Sequence, residues 1–146
     1  MNFSNKDGGK IIFELIKTIQ DKKDFLSEVD GKIGDGDHGI NMNKGFTMTY
    51  CKVNGKDYDM TTAFSVLGDT LLEDIGGSMG PLYGAFFDGL SEASEDHDVI
   101  DKKTFQKMIH TALEAIQDIG NAKRGDKTLL DTLIPAVEAY DAALEA

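Results

Sequence analysis

The sequence is short of basic side chains. Lys and Arg number 15 against 26 Asp and Glu, a formal net charge of −11. A chain this acidic is repelled by nucleic acid and by anionic membrane surfaces, so both are excluded as partners. Cysteine is almost missing as well: Cys51 stands alone. No internal disulfide can form, and a reducing compartment, the cytoplasm, is the expected location. Long apolar runs are also lacking. The first of them, Ile11-Ile12-Phe13, is cut by Glu14 and Lys17, which excludes a signal-peptide core and a membrane-spanning helix there. Strict alternation of apolar and polar residues occurs nowhere, so the pattern predicts no sheet.

What the sequence does contain is helical periodicity. Its 146 residues, 40% hydrophobic and 28% charged, suit one soluble domain spanning 1–146 with a real core. Apolar positions predict a first helix over 9–24 (Ile11, Ile12, Leu15, Ile16, Ile19) and a second from about Gly39 to Asn54-Gly55. Asp59 and Asp101 read as caps of the third and fifth helices. The third ends at Gly76-Gly77, and the fourth follows the turn 76–81 and carries Leu82 to Leu90. The acidic stretch Glu92–Asp98 reads as a surface loop. A last helix runs from about Leu129, kinked or started by Pro135. The predicted fold is an all-α, antiparallel up-and-down helical barrel or bundle. In such a bundle the loops 30–39, 76–81 and 120–128 lie at one end.

One stretch reads as chemistry. Between Val29 and Asn41, three carboxylates (Asp30, Asp35, Asp37) are interleaved with Gly31, Gly34, Gly36 and Gly39. Glycines let the backbone turn sharply enough for the carboxylates to converge. Two carboxylates about 4 Å apart repel by roughly 4 kcal/mol at an effective dielectric near 20, a cost that a cation removes. An all-oxygen set suits Mg²⁺ or Ca²⁺ rather than zinc. An EF-hand register fails, because Ile40 falls where glycine is required and Phe46 where the bidentate Glu belongs. On these residues alone, a metal loop and a solvated Asp/Gly turn both remain open. The segment Gly120–Thr128 falls short of a phosphate-binding P-loop, since Asp126 intrudes between Gly125 and Lys127 and no strand precedes it.

The run Ile33-Gly34-Asp35-Gly36-Asp37-His38-Gly39-Ile40-Asn41, with Asp30 before it, resembles the signature of the L subunit, the nucleotide-binding domain, of dihydroxyacetone kinases. Gly76-Gly77-Ser78-Met79-Gly80-Pro81-Leu82-Tyr83-Gly84 and Gly125-Asp126-Lys127-Thr128-Leu129-Leu130-Asp131 are similar to its next two blocks, in order and spacing. Ser78-Met79 stand where that family usually has Ala-Ser.

The resemblance implies a helical barrel with ADP or ATP at one end. Asp30, Asp35 and Asp37 would hold two Mg²⁺ ions. His38, Gly39, Ile40, Asn41, Ser78 and Met79 would lie at the nucleotide, with Gly120 and Leu129 on the adenine side. No catalytic residue is expected from this chain. The phosphoryl group would pass to dihydroxyacetone held on a partner K subunit, and a phosphotransferase-system protein would be the expected donor that rephosphorylates bound ADP. The resemblance also implies further helices beyond Ala146. Two alternatives are a helical Mg²⁺–nucleotide regulatory module without phosphotransfer, and the nucleotide domain of fatty-acid kinases. The latter usually has Thr where this chain has His38.

Overall fold

The structure is a computed structural model that describes residues 2–146. Its elements in chain order are β1 (Phe3–Ser4), α1 (Asn5–Gly8), α2 (Ile11–Asp30), α3 (His38–Val53), α4 (Met60–Asp74), α5 (Met79–Ser94), β2 (Val99–Ile100), α6 (Lys102–Ile119) and α7 (Leu130–Glu145). The long helices pack in sequence, α2 on α3, α3 on α4, and so on to α6 on α7. Helices joined by short connections run antiparallel, which gives the expected up-and-down all-α array. Among the described residues no helix is long and apolar enough to cross a membrane.

The core lies between α2, α3, α4, α5 and α6. Ile12 and Ile16, Met42 and Phe46, Leu67 and Leu71, Phe87 and Leu90, and Met108 and Ala112 fill it, each at least nine-tenths buried. These are the i, i+3, i+4 positions that the periodicity predicts. Small residues let the helices approach closely. A Cβ on Gly89 would stand 2.7 Å from the Ala112 Cα, so α5 and α6 touch backbone to backbone. The two expected aspartate caps are present: Asp59 Oδ1 accepts from Thr62 N at 2.7 Å and Asp101 Oδ1 from Thr104 N at 2.8 Å. These bonds satisfy donors that have no partner inside the helix. The Asp101 bonds also hold its carboxyl below the usual range.

Four local expectations are corrected. The first long helix continues six residues past 24, because Phe25 to Val29 contain no breaker and the chain turns only at Gly31. Asp30 is therefore its last helical residue rather than a loop residue. Second, α5 runs through Ser94, so only 95–98 of the acidic stretch is loop. Ser91 and Ser94 are buried, with Ser91 Oγ donating to the Thr61 carbonyl at 2.9 Å, while Glu92 and Glu95 face water. Third, Pro135 lies inside α7 and does not start it; it leaves the Asp131 carbonyl without its i+4 donor. Fourth, a two-residue antiparallel ladder pairs Phe3 with Ile100 and Ser4 with Val99. It is too short to give any period-2 signal.

Candidate metal and nucleotide site

The site is built where two helices start beside the end of a third. Asp30 closes α2, and the loop to α3 folds around its carboxylate. Asp30 Oδ2 accepts from Gly36 N at 2.9 Å and His38 N at 3.4 Å, while the Asp30 carbonyl accepts from Gly34 N at 2.6 Å. Two glycines make this possible. Gly36 has φ +79°, and a Cβ on Gly34 would lie 2.5 Å from Asp30 Oδ1. Asp35 Oδ1 accepts from Asp37 N at 3.2 Å, and Asp37 Oδ2 accepts from Asn41 Nδ2 at 2.8 Å. Each carboxylate thus has one oxygen engaged by the loop and another oxygen not so engaged.

The three carboxylates offer one oxygen each within 4.8 Å of one another. Asp35 and Asp37 are exposed and Asp30 is half-buried. That spacing is close enough for the three carboxylates to share a divalent cation after side-chain adjustment. The donor set is hard, anionic and free of thiolate, and it fits divalent Mg²⁺.

These carboxylates border an open cavity of about 520 Å³ lined also by His38, Asn41, Gly76, Gly77, Ser78 and Met79. Both α3, entered through Asp37, and α5, entered through Ser78, begin here. First-turn N–H groups have no partner within the helix, so two helix N-termini face a cavity that also carries three carboxylates. An anion is attracted by the first feature and repelled by the second unless a cation joins them. Close backbone packing fixes both starts. A Cβ on Gly39 would stand 1.9 Å from the Lys23 carbonyl, and one on Gly80 would stand 2.1 Å from the Ile75 carbonyl.

A second, apolar pocket of about 180 Å³ adjoins the first. It is lined by Tyr83, Phe86, Ile116, Leu129, Thr132, Leu133 and Ala136. Tyr83 links the two, its ring centroid 6.1 Å from that of His38. Burial pushes the Tyr83 hydroxyl above its usual pKa, so it stays protonated. The loop before α7 is folded by Asp131, whose carboxylate accepts from Gly125 N at 2.6 Å and Lys127 N at 2.7 Å. Those bonds, that from Gly125 first, lower its pKa. The basic residues there are partly engaged, Arg124 pairing with Glu138 at 3.1 Å.

Of the residues singled out from sequence, the first cavity gathers Asp30, Asp35, Asp37, His38, Asn41, Ser78 and Met79. Leu129 lines the apolar pocket instead. Gly39 is buried against α2, Ile40 is 55% exposed beside the cavity, and Gly120 lines neither pocket. Sequence reading missed the pocket role of Tyr83, Phe86, Ile116 and Leu133. Their helical spacing is that of core residues, and nothing in the pattern separates a pocket wall from a core face.

An all-α array with carboxylates and two helix N-termini around one cavity defines a class: a helical domain suited to a metal-bound, phosphate-bearing ligand. Comparison with known proteins makes this particular. The DAK2 domain profile matches residues 32–146, and the chain belongs to that family. It is 39% identical over 122 residues to the ADP-binding subunit DhaL of PEP-dependent dihydroxyacetone kinase 1 from Listeria innocua, covering 83% of this chain and 61% of that protein. It is also 39% identical over 114 residues to the ADP-binding subunit DhaL of the PTS-dependent dihydroxyacetone kinase from Lactococcus lactis, covering 77% and 57%. The chain thus spans about three-fifths of the length of these relatives. Among solved structures it is similar to the dihydroxyacetone kinase from C. freundii in complex with AMP-PNP and Mg²⁺. That likeness has a TM-score of 0.73 and 25% identity, and it covers 94% of this chain and 25% of that one.

Proposed function

We propose that residues 1–146 act as one nucleotide-binding unit of a dihydroxyacetone kinase. It binds ADP or ATP with two Mg²⁺ ions, and it acts in the cytoplasm with a separate K subunit that holds dihydroxyacetone. The observation that carries the reading is the convergence of Asp30, Asp35 and Asp37 at a cavity entered by two helix N-termini. Relatives that are ADP-binding subunits support the nucleotide, and a structural neighbour solved with AMP-PNP and Mg²⁺ supports the metal.

The division of labour follows from the residues. Asp30, Asp35 and Asp37 would hold the metal, which supplies charge neutralisation at the phosphate oxygens. The open N–H groups at the starts of α3 and α5 would orient the phosphates. Ser78, whose hydroxyl makes no cap bond to its own helix, is free to donate there in place of the family's serine at 79. Tyr83 and Leu129 lead from the phosphates to the apolar pocket, which would take the base and shield it from water. We assign no side chain at the cavity as a base for a triose hydroxyl: Asp30, Asp35 and Asp37 would hold the metal, and His38 would lie at the phosphates. Activation of the acceptor therefore belongs to the partner subunit. Because relatives are described as PEP- or PTS-dependent, the donor that rephosphorylates bound ADP would be a phosphotransferase-system protein.

The test is reconstitution. The purified chain with dihydroxyacetone and either ATP or a phosphoenolpyruvate-driven phosphotransferase relay should yield no triose phosphate until a K subunit is added. With the K subunit, the relay should outpace ATP. Turnover by the chain alone would overturn the division of labour. Mg²⁺-dependent ADP binding with no turnover in any combination would favour the regulatory-module reading.

A further inference from the structure

A third pocket lies at the end of the array opposite the aspartates. Helix α2 spans the two: its first turn lines this pocket, and its 20 residues end at Asp30, a length of about 30 Å. The pocket holds about 260 Å³. Its base is apolar, formed by Ile12, Val53 and Ala63, each at most 2% exposed. Phe13 and Tyr58, both half-buried, line it as well. Close packing holds these walls in place. The junction of α1 and α2 passes directly under the segment that leads into α4, where a Cβ on Gly9 would overlap the Tyr58 carbonyl. The pocket therefore sits among α1, α2, α3 and α4, which pack on one another, and not on an open flank of the array.

The rim reverses the charge of the chain. Lys6, Lys10 and Lys56 stand on it, all exposed and none in an ion pair among the described residues. The Lys56 ammonium is held over the Tyr58 ring, 5.6 Å from its centroid. Asp7 and Asp57 share the rim, also exposed and unpaired, so the ammonium groups outnumber the carboxylates in a protein whose net charge is −11. Helix α2 is entered here through Lys10 without a side-chain cap, and its free first-turn N–H groups add to the positive potential.

We propose that this end pocket binds a small single-ring anion, an aromatic carboxylate or phosphate, at a site separate from the nucleotide. The ring would lie against Ile12, Val53 and Ala63, where leaving water is favourable, and the anionic group would reach Lys10 and Lys56 at the rim. Each half of the pocket selects one half of the ligand. An uncharged ring leaves the lysines unused, and an anion without a ring leaves the apolar base in water. The volume is below the roughly 300–1,000 Å³ of sites for drug-sized ligands, which limits the occupant to about one ring. At about 30 Å from Asp30, measured along α2, the site lies beyond reach of a nucleotide held at the aspartates.

The test records proton–nitrogen correlation spectra of the full chain in EDTA while phenyl phosphate or benzoate is added. Saturable shifts centred on the amides of Gly9, Val53 and Tyr58 are expected, and the tighter of the two probes assigns the anionic group. Benzyl alcohol, which lacks the charge, and inorganic phosphate, which lacks the ring, should each bind at least tenfold more weakly. The double variant Lys10→Glu, Lys56→Glu should weaken the probe tenfold or more. Ala63→Leu, which fills the base, should abolish the shifts, with circular dichroism verifying the fold; should that core variant not fold, the surface double variant still decides. Inorganic phosphate binding as tightly as phenyl phosphate would reduce the effect to charge attraction by surface lysines and overturn the site. Shifts centred on Gly36, Gly39 and Gly77 would place the probe in the aspartate cavity and overturn it as well. The double lysine variant should bind Mg²⁺–ADP unchanged, so this test and that of the nucleotide reading fail separately.

Discussion

Replacing Asp35 by Asn separates a metal-binding loop from a merely structural one, because the two roles predict opposite signs. Asp35 uses Oδ1 to accept from Asp37 N at 3.2 Å, and Asn keeps that acceptor, so the loop's own hydrogen bond survives. What disappears is one of three negative charges within 4.8 Å. At that spacing each like-charged pair costs about 1 kcal/mol in bulk water, less in 0.15 M salt. Without metal, Asp35→Asn should therefore stabilise the fold by roughly 0.5–1 kcal/mol, or about 1–4 °C for a domain of this size. With Mg²⁺, the same change removes a hard ligand. Affinity for ADP should fall at least tenfold, about 1.4 kcal/mol. Calorimetric titration with ADP, with and without Mg²⁺, reads the second effect, and thermal melts in EDTA read the first. Unchanged Mg²⁺-dependent affinity would refute the metal assignment. A loss of stability above about 1 kcal/mol in EDTA, more than the repulsion that the change relieves, would show that Asp35 holds the loop instead.

Three further outcomes are expected. Leu133→Asp, placed in the wall of the apolar pocket, should weaken ADP tenfold or more while leaving Mg²⁺–pyrophosphate binding unchanged, as paired titrations would show; equal losses for both would remove the pocket from the base. Gly39→Ala should destabilise by about 1–3 kcal/mol, because its Cβ would overlap the Lys23 carbonyl at 1.9 Å and backbone cannot swing aside; an unchanged denaturation midpoint would refute that packing. Burial first, and then the charge of Asp69, push the Asp88 carboxyl up to about 6. A carboxyl raised in the folded state destabilises the fold fully above that pH, and the penalty fades as pH falls through about 6 toward the unfolded value near 4. Two pKa units set a ceiling of about 3 kcal/mol, and partial exposure reduces it to about 1. Asp88→Asn should raise Tm at pH 8 but not at pH 4; a pH-independent gain would mean a packing effect.

Much of this protein is fixed by local chemistry and so is determined by its sequence. Helical periodicity, the Asp59 and Asp101 caps and the break at Gly55 follow from propensity and spacing over a few residues, and the structure repeats them. The three aspartates are also local, since they lie within eight residues of one another and glycines leave few other ways to fold that segment. Tertiary structure decided what depends on residues far apart. The Ser78 loop meets the Asp30 loop because α3 and α4 carry the chain away and back, and Gly80 lets α5 start directly under the Ile75 carbonyl. Tyr83 and Leu129 share a pocket because α5, α6 and α7 pack in order, whereas in the sequence Tyr83 reads as core and only the resemblance assigns Leu129 to the nucleotide. Helix α2 is the clearest case. Ile12 and Ile11 are neighbours of the same chemistry, yet one is 1% exposed and the other 37%. Periodicity places each on a face of the helix, but only the positions of the other helices decide which face is covered.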